Sequence, residues 1–201
     1  MNANVNIVGN GYTINMNNAD RAFFIGPVTV NSGTLLTTGS VAALANVTSI
    51  ELNGGAFALG QIGGITNEVA VTLAGGSLEA AINLTQNFGT LTVAGGTSVI
   101  NFSTYAATFN FATLSLAPSS QLAIWNYAGA DDVLRIATGT ATGSLSQIAF
   151  YSDAGTTYLG EGSFVGTTIV PVPEPSTLVI GLAGLAGIAA RGSQLRRRRQ
   201  A

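Results

Sequence analysis

Cysteine, histidine and lysine are all missing from the 201 residues. Without Cys there is no disulfide, no thiolate metal site and no cysteine nucleophile. Without His there is no Ser-His-Asp arrangement, no imidazole ligand, and no side chain whose ordinary pKa lies near neutrality. Charged residues make up only 8% of the chain, so acid–base chemistry would rest on a few scattered carboxylates. Through Pro171 these are Asp20, Glu51, Glu68, Glu79, Asp131, Asp132, Asp153 and Glu161, set against Arg21 and Arg135, a net charge near −6. Such a body offers no basic face, so no nucleic-acid partner is expected. The same scarcity predicts no catalytic residue, no metal and no cofactor.

The polar surface comes mostly from Gly, Thr, Asn and Ser. β-Branched Thr and Val suit pleated strands, and Gly and Asn suit corners, so many short strands are expected rather than a helical bundle. A repeat supports this. VTVNSGTLL from Val28, IELNGGAFAL from Ile50, VTLAGGSLEA from Val71 and LTVAGGTSVI from Leu91 share one form. VNIVGNGYTI from Val5 and LSLAPSSQLAI from Leu114 follow it loosely. The start points are separated by 23, 22, 21, 20 and 23 residues. Each unit alternates with period two and then turns at Gly, as at Gly54–Gly55, Gly75–Gly76 and Gly95–Gly96, where positive φ is free of a side-chain clash.

One such unit cannot bury its own apolar face, but a stack of them can. About twenty residues per turn predicts an all-β fold, a parallel β-helix of about six coils over 1–120, roughly 29 Å long at ~4.8 Å per coil. An antiparallel sandwich would place its turns every 8–12 residues or so. Asn in stretches such as MNANVNIVGNGYTINMNN tolerates left-handed turns and can form ladders between coils. The units resemble the strand repeats of autotransporter passenger regions and exported bacterial β-helices over about residues 5–122. Beyond Gln121 the repeat dissolves, leaving apolar patches at Leu122–Trp125, Val133–Ile136 and Ile148–Tyr151. These predict a capping β segment over 121–170, which a stack of coils needs at its open end.

Candidate acids are few. Asp131–Asp132, with Asp153 and Glu161 downstream, lack the spaced oxygens of a calcium loop. Neighbours on a strand point to opposite sides and make a poor acid–base couple. GADD reads as a turn. The Gly-rich pieces lack the Gly-Lys-Ser/Thr of a phosphate loop.

The end of the chain, 171–201, differs from the rest. Five of the seven Arg fall in its last eleven positions. The apolar run TLVIGLAGLAGIAA, from Thr177 to Ala190, precedes them and carries Thr177, Leu178, Val179, Ile180, Leu182, Leu185 and Ile188. As a helix its fourteen residues span about 21 Å, and extending it to Leu195 adds about 7 Å. The sequence thus predicts a single short C-terminal transmembrane helix. Arg196, Arg197, Arg198 and Arg199 would stay cytoplasmic as a stop-transfer block, and the body would lie on the far side. Just before the helix, Pro173-Glu174-Pro175 holds an extended backbone that a protease cleft can accept.

Pro-Glu-Pro, a short apolar helix and a basic terminus, in that order, resemble the PEP-CTERM sorting signal of Gram-negative bacteria. The resemblance implies that Pro173, Glu174 and Pro175 are the sorting motif, and that an exosortase processes the chain near it. It also implies transient anchoring in the inner membrane, release to the cell surface or beyond, and association with exopolysaccharide and biofilm. The start MNANVNIVGNGYTINMNN lacks the basic and apolar regions of a secretory signal peptide, so the natural N-terminus, with further coils, is expected upstream. The expected function is that of an exported structural or adhesive surface protein, not an enzyme. The alternative is a β-helix polysaccharide-processing enzyme.

Overall fold

Alternation in VTV, IEL, VTL, LTV and LSL gives each segment one dry side and one wet side. The computed structural model describes residues 5–7, 13–15, 25–37, 44, 46–62, 65 and 68–172. In it these segments stack in parallel, with Val5, Val28, Ile50, Val71, Leu91 and Leu114 in register. Those are the six start points of the sequence repeat. One more partner, Ala141, follows Leu114. The fold is an all-β solenoid.

The first face consists of β1 (Val5–Ile7), β3 (Ile25–Val30), β5 (Asn46–Leu52), β7 (Ala70–Leu73), β9 (Leu84–Val93), β11 (Ala107–Leu116) and β14 (Ala141–Thr142). The second consists of β2 (Thr13–Asn15), β4 (Thr34–Thr37), β6 (Ala56–Leu59), β8 (Ser77–Ala80), β10 (Gly96–Asn101), β12 (Ser120–Trp125) and β15 (Ile148–Tyr151). Among the described residues, a third side of the early coils is represented by the bridge from Leu44 to Ile65. It is a full face where the leading half of β11 pairs with that of β9 on one side and with β13 (Val133–Ile136) on the other.

The core is a set of columns. Leu35, Phe57, Leu78, Ile100, Ile124 and Phe150 lie one above another and are fully buried. On the third face Phe88 stacks on Phe111 with ring centroids 5.0 Å apart and planes at 14°. Outward residues form matching rows, such as Thr29, Glu51, Thr72, Thr92, Ser115 and Thr142. Amide ladders join coils from Asn53 to Asn31 at 3.0 Å, Asn110 to Asn87 at 2.9 Å and Asn126 to Asn101 at 2.7 Å. Each donor is a side-chain NH2 and each acceptor a side-chain oxygen, so the outer surface is stitched along the same axis as the backbone.

The three late apolar patches are strands, yet they continue the parallel stack, since β12 receives β15 and β11 receives β13. Direction reverses only afterwards. β16 (Tyr158–Val165) runs antiparallel on β15, and β17 (Thr168–Val172) runs antiparallel on both β13 and β16. This hairpin packs on the last strands, with Ile169 of β17 fully buried.

The expected transmembrane helix requires correction. Among the described residues no helix is long and apolar enough to cross a membrane, and the one helix there is the 3-10 turn Leu145–Gln147. The segment from Thr177, through Leu178, Val179, Ile180, Leu182, Leu185 and Ile188, lies outside the described residues. On length alone, the fourteen apolar residues would reach about 21 Å, and about 28 Å when continued to Leu195, against a hydrocarbon layer roughly 30 Å thick. The inner-membrane anchor, expected both as a partner and as a transient location, rested on that helix, and no helix among the described residues supplies it.

Candidate functional sites

The first site is the exit of the chain from the cap. In β17 Pro171 lies opposite Gly162, and Val172 opposite Glu161. β13 pairs with this strand only at Thr168 and Ile169, so the missing N–H of Pro171 interrupts no ladder on that side. Gly160, at φ 142°, lets Val172 come close, because a Cβ there would overlap the Val172 carbonyl oxygen. The backbone is thus held in place up to the residue before Pro173. Pro173, Glu174, Pro175 and Arg196–Arg199 lie outside the described residues.

The candidate acids have separate duties. Asp132 is only 3% exposed, whereas its neighbour Asp131 faces solvent. The Asp132 carboxylate accepts the Ala128 N–H at 2.6 Å, and its own N–H donates to the Gly129 carbonyl at 3.1 Å, tying off the GADD turn. Burial pushes the Asp132 carboxyl above its ordinary range. Bonds from the Ala128 and Ala107 backbones pull it down, and the Asp131 charge adds to the rise. The nearby Tyr127 phenol is also raised, first by burial and then by the Asp132 charge.

Asp153 sits in the loop between β15 and β16. It accepts hydrogen bonds from the Thr156 and Thr157 hydroxyls and N–H groups at 2.6–2.9 Å. These bonds, the Thr156 hydroxyl foremost, hold its carboxyl well below the usual range. Glu161 lies in β16 opposite Ala149 and Val172. Asp132 and Asp153 therefore pin two loops. Among the described residues, no three His, Cys, Asp or Glu side chains gather as a metal-binding group.

Two cavities of about 300 Å³ each open at solenoid corners. One is bordered by Asn83, Ser103, Thr104, Tyr105, Asn126 and Asp131. The other lies over Glu68, Asn87 and Asn110. Three non-glycine residues among those described have left-handed backbones: Glu68 at φ 73°, Ser103 at 56° and Asn126 at 55°. All three line one of these cavities.

Comparison with known families decides the first site. The model of the PEP-CTERM protein-sorting motif matches residues 171–199. The chain carries a PEP-CTERM sorting motif. No curated protein and no solved structure matches it. The match begins at Pro171, inside β17, so the motif starts on the closing strand itself. Motif and solenoid together support an exosortase-processed surface protein.

Sequence reasoning missed the corner cavities. Ser103 and Tyr105 lie in the turn NFSTYAAT between two repeat units, and only an Asn at each coil corner (Asn83, Asn101, Asn126) hinted at a recurring special position there.

Proposed function

We propose that this chain is a non-enzymatic structural or adhesive protein of the bacterial surface or extracellular matrix, processed by exosortase at its PEP-CTERM motif and associated with exopolysaccharide. One observation carries this reading. The solenoid is closed by β16 and β17 before Pro173 is reached, so losing everything beyond the motif leaves the described hydrogen bonds and core columns intact. A closed rod with wet rows of Thr, Ser and Asn supports a passive, durable role. Asp132 and Asp153 serve turns, which favours a structural part for them over a catalytic one.

The test replaces the motif in the native host by P173A/E174A/P175A. The parent chain should be recovered from the surface and matrix fractions, and the variant should be depleted there and retained in full-length form. Equal distribution of the two would refute the sorting reading. Incubating the purified parent with envelope polysaccharides should release no new reducing ends or unsaturated products; their appearance would favour the enzyme.

A further inference from the structure

The corner cavity beneath Tyr105 has the composition of a sugar subsite. Tyr105 is 38% exposed, and its hydroxyl has no hydrogen-bond partner among the described residues. Around it stand open groups of both polarities. The Asn83 side-chain oxygen is engaged by the Ala106 N–H at 3.0 Å, which leaves its NH2 to donate. The Asn126 NH2 is engaged by Asn101 at 2.7 Å, which leaves its oxygen to accept. The exposed Asp131 carboxylate adds a stronger acceptor.

The frame holding these groups is rigid. Asn101 Oδ1 accepts the Ser103 N–H at 2.8 Å as well as the Asn126 amide. The Tyr105 N–H donates to the Phe102 carbonyl at 3.2 Å, and the Phe102 N–H to the Trp125 carbonyl at 3.1 Å. Phe102 itself is fully buried. The left-handed backbones of Ser103 and Asn126 are thus fixed from two successive coils. Asn tolerates this conformation, but at a residue such as Ser103 it persists only where the surroundings over-determine it, and such positions collect at ligand-holding sites.

We infer that this cavity binds one uncharged sugar unit of a polysaccharide chain. A sugar ring offers an apolar C–H face for the Tyr105 ring and a rim of hydroxyls, each able to donate to Asn126 or Asp131 and to accept from Asn83. The volume of about 300 Å³ stands at the small end for ligand pockets, which suits a unit of a polymer that continues out of the cavity on both sides. Sign of charge sets the specificity. The lining contains Asp131 and Asp132 and no cation, so uronates, sulfates and phosphates are repelled. The inference deepens the proposed exopolysaccharide association, and it rests on that reading only for the source of the polymer.

Titration calorimetry on the purified full chain tests it, because binding in solution does not depend on where a cell delivers the protein. The probes are hexasaccharides of glucose and of mannose, with tetragalacturonate as the charged counterpart. A neutral hexasaccharide should bind and the uronate should not. Tyr105→Ala, at an exposed position, should weaken binding by about tenfold, the scale of one well-made contact. Asn126→Gly keeps the left-handed backbone and removes the amide, and it should weaken binding several-fold with an unchanged circular dichroism spectrum. Absence of binding by every neutral probe, equal binding of the uronate, or full binding by both variants would overturn the inference while leaving the sorting reading untouched.

Discussion

Burial makes the charged form of Asp132 costly, whereas the Thr156 and Thr157 bonds make the charged form of Asp153 favourable. The two residues therefore respond to pH with opposite sign. For Asp132 the folded pKa is raised, so its contribution is fullest in acid and is lost as pH rises through that folded value. For Asp153 the folded pKa is depressed. Its contribution is present above the unfolded value of about 3.9 and is lost as pH falls toward its lower folded value. Asp132→Asn retains an oxygen for the Ala128 N–H and should gain on the parent in melting temperature as pH is raised from about 4 to 7. Asp153→Asn should fall behind the parent above about pH 4 and recover below it. Thermal melts across pH 2–7 check this, and parallel curves for the two variants would contradict it. At this scale the sequence was legible where chemistry is local. GADD is a turn, and Asn does form ladders between coils. What burial does to one Asp of an adjacent pair depends on the coil behind it, which composition does not reveal.

Within each rung, one side of the strand carries the stability. Phe57 is fully buried in the column between Leu35 and Leu78, while Thr72 stands in an outward row. Phe57→Ala should cost about 3–5 kcal/mol, and Thr72→Ala should stay within about 0.5 kcal/mol. Denaturant midpoints would measure both, and comparable losses would show that the columns do not bear the load assigned to them. The Gly75–Gly76 pair divides its labour. Gly75, at φ 91°, makes the turn and donates its N–H to Ser98 Oγ at 3.0 Å. Gly76 lets the neighbouring coil approach, since a Cβ there would lie 2.6 Å from the Gly55 oxygen. Only the first role was readable from the chain, because close approach needs the coil below. The third face was hidden for related reasons. In β9 the buried Gln86 interrupts the apolar alternation of Leu84 and Phe88. The late rungs were visible as strands but not as parallel ones: alternation marks the dry side, not the direction of the neighbour, and Leu114 and its partner Ala141 are twenty-seven residues apart.

Taken whole, the molecule is an acidic solenoid closed by a hairpin, and its sorting motif begins on the closing strand. The repeat spacing made the stack legible, and the three-part C-terminus made the motif legible. The membrane span expected from the apolar run is corrected by the described residues, among which no helix is long and apolar enough to cross. Mature protein from the surface fraction of the native host, analysed by intact-mass and C-terminal peptide mass spectrometry, tests exosortase processing most directly. The predicted result is a chain that ends close to Glu174, lacks Arg196–Arg199 and retains the β17 peptide. Recovery of the full chain with its arginine block in place, from the cytosol alone, would contradict it.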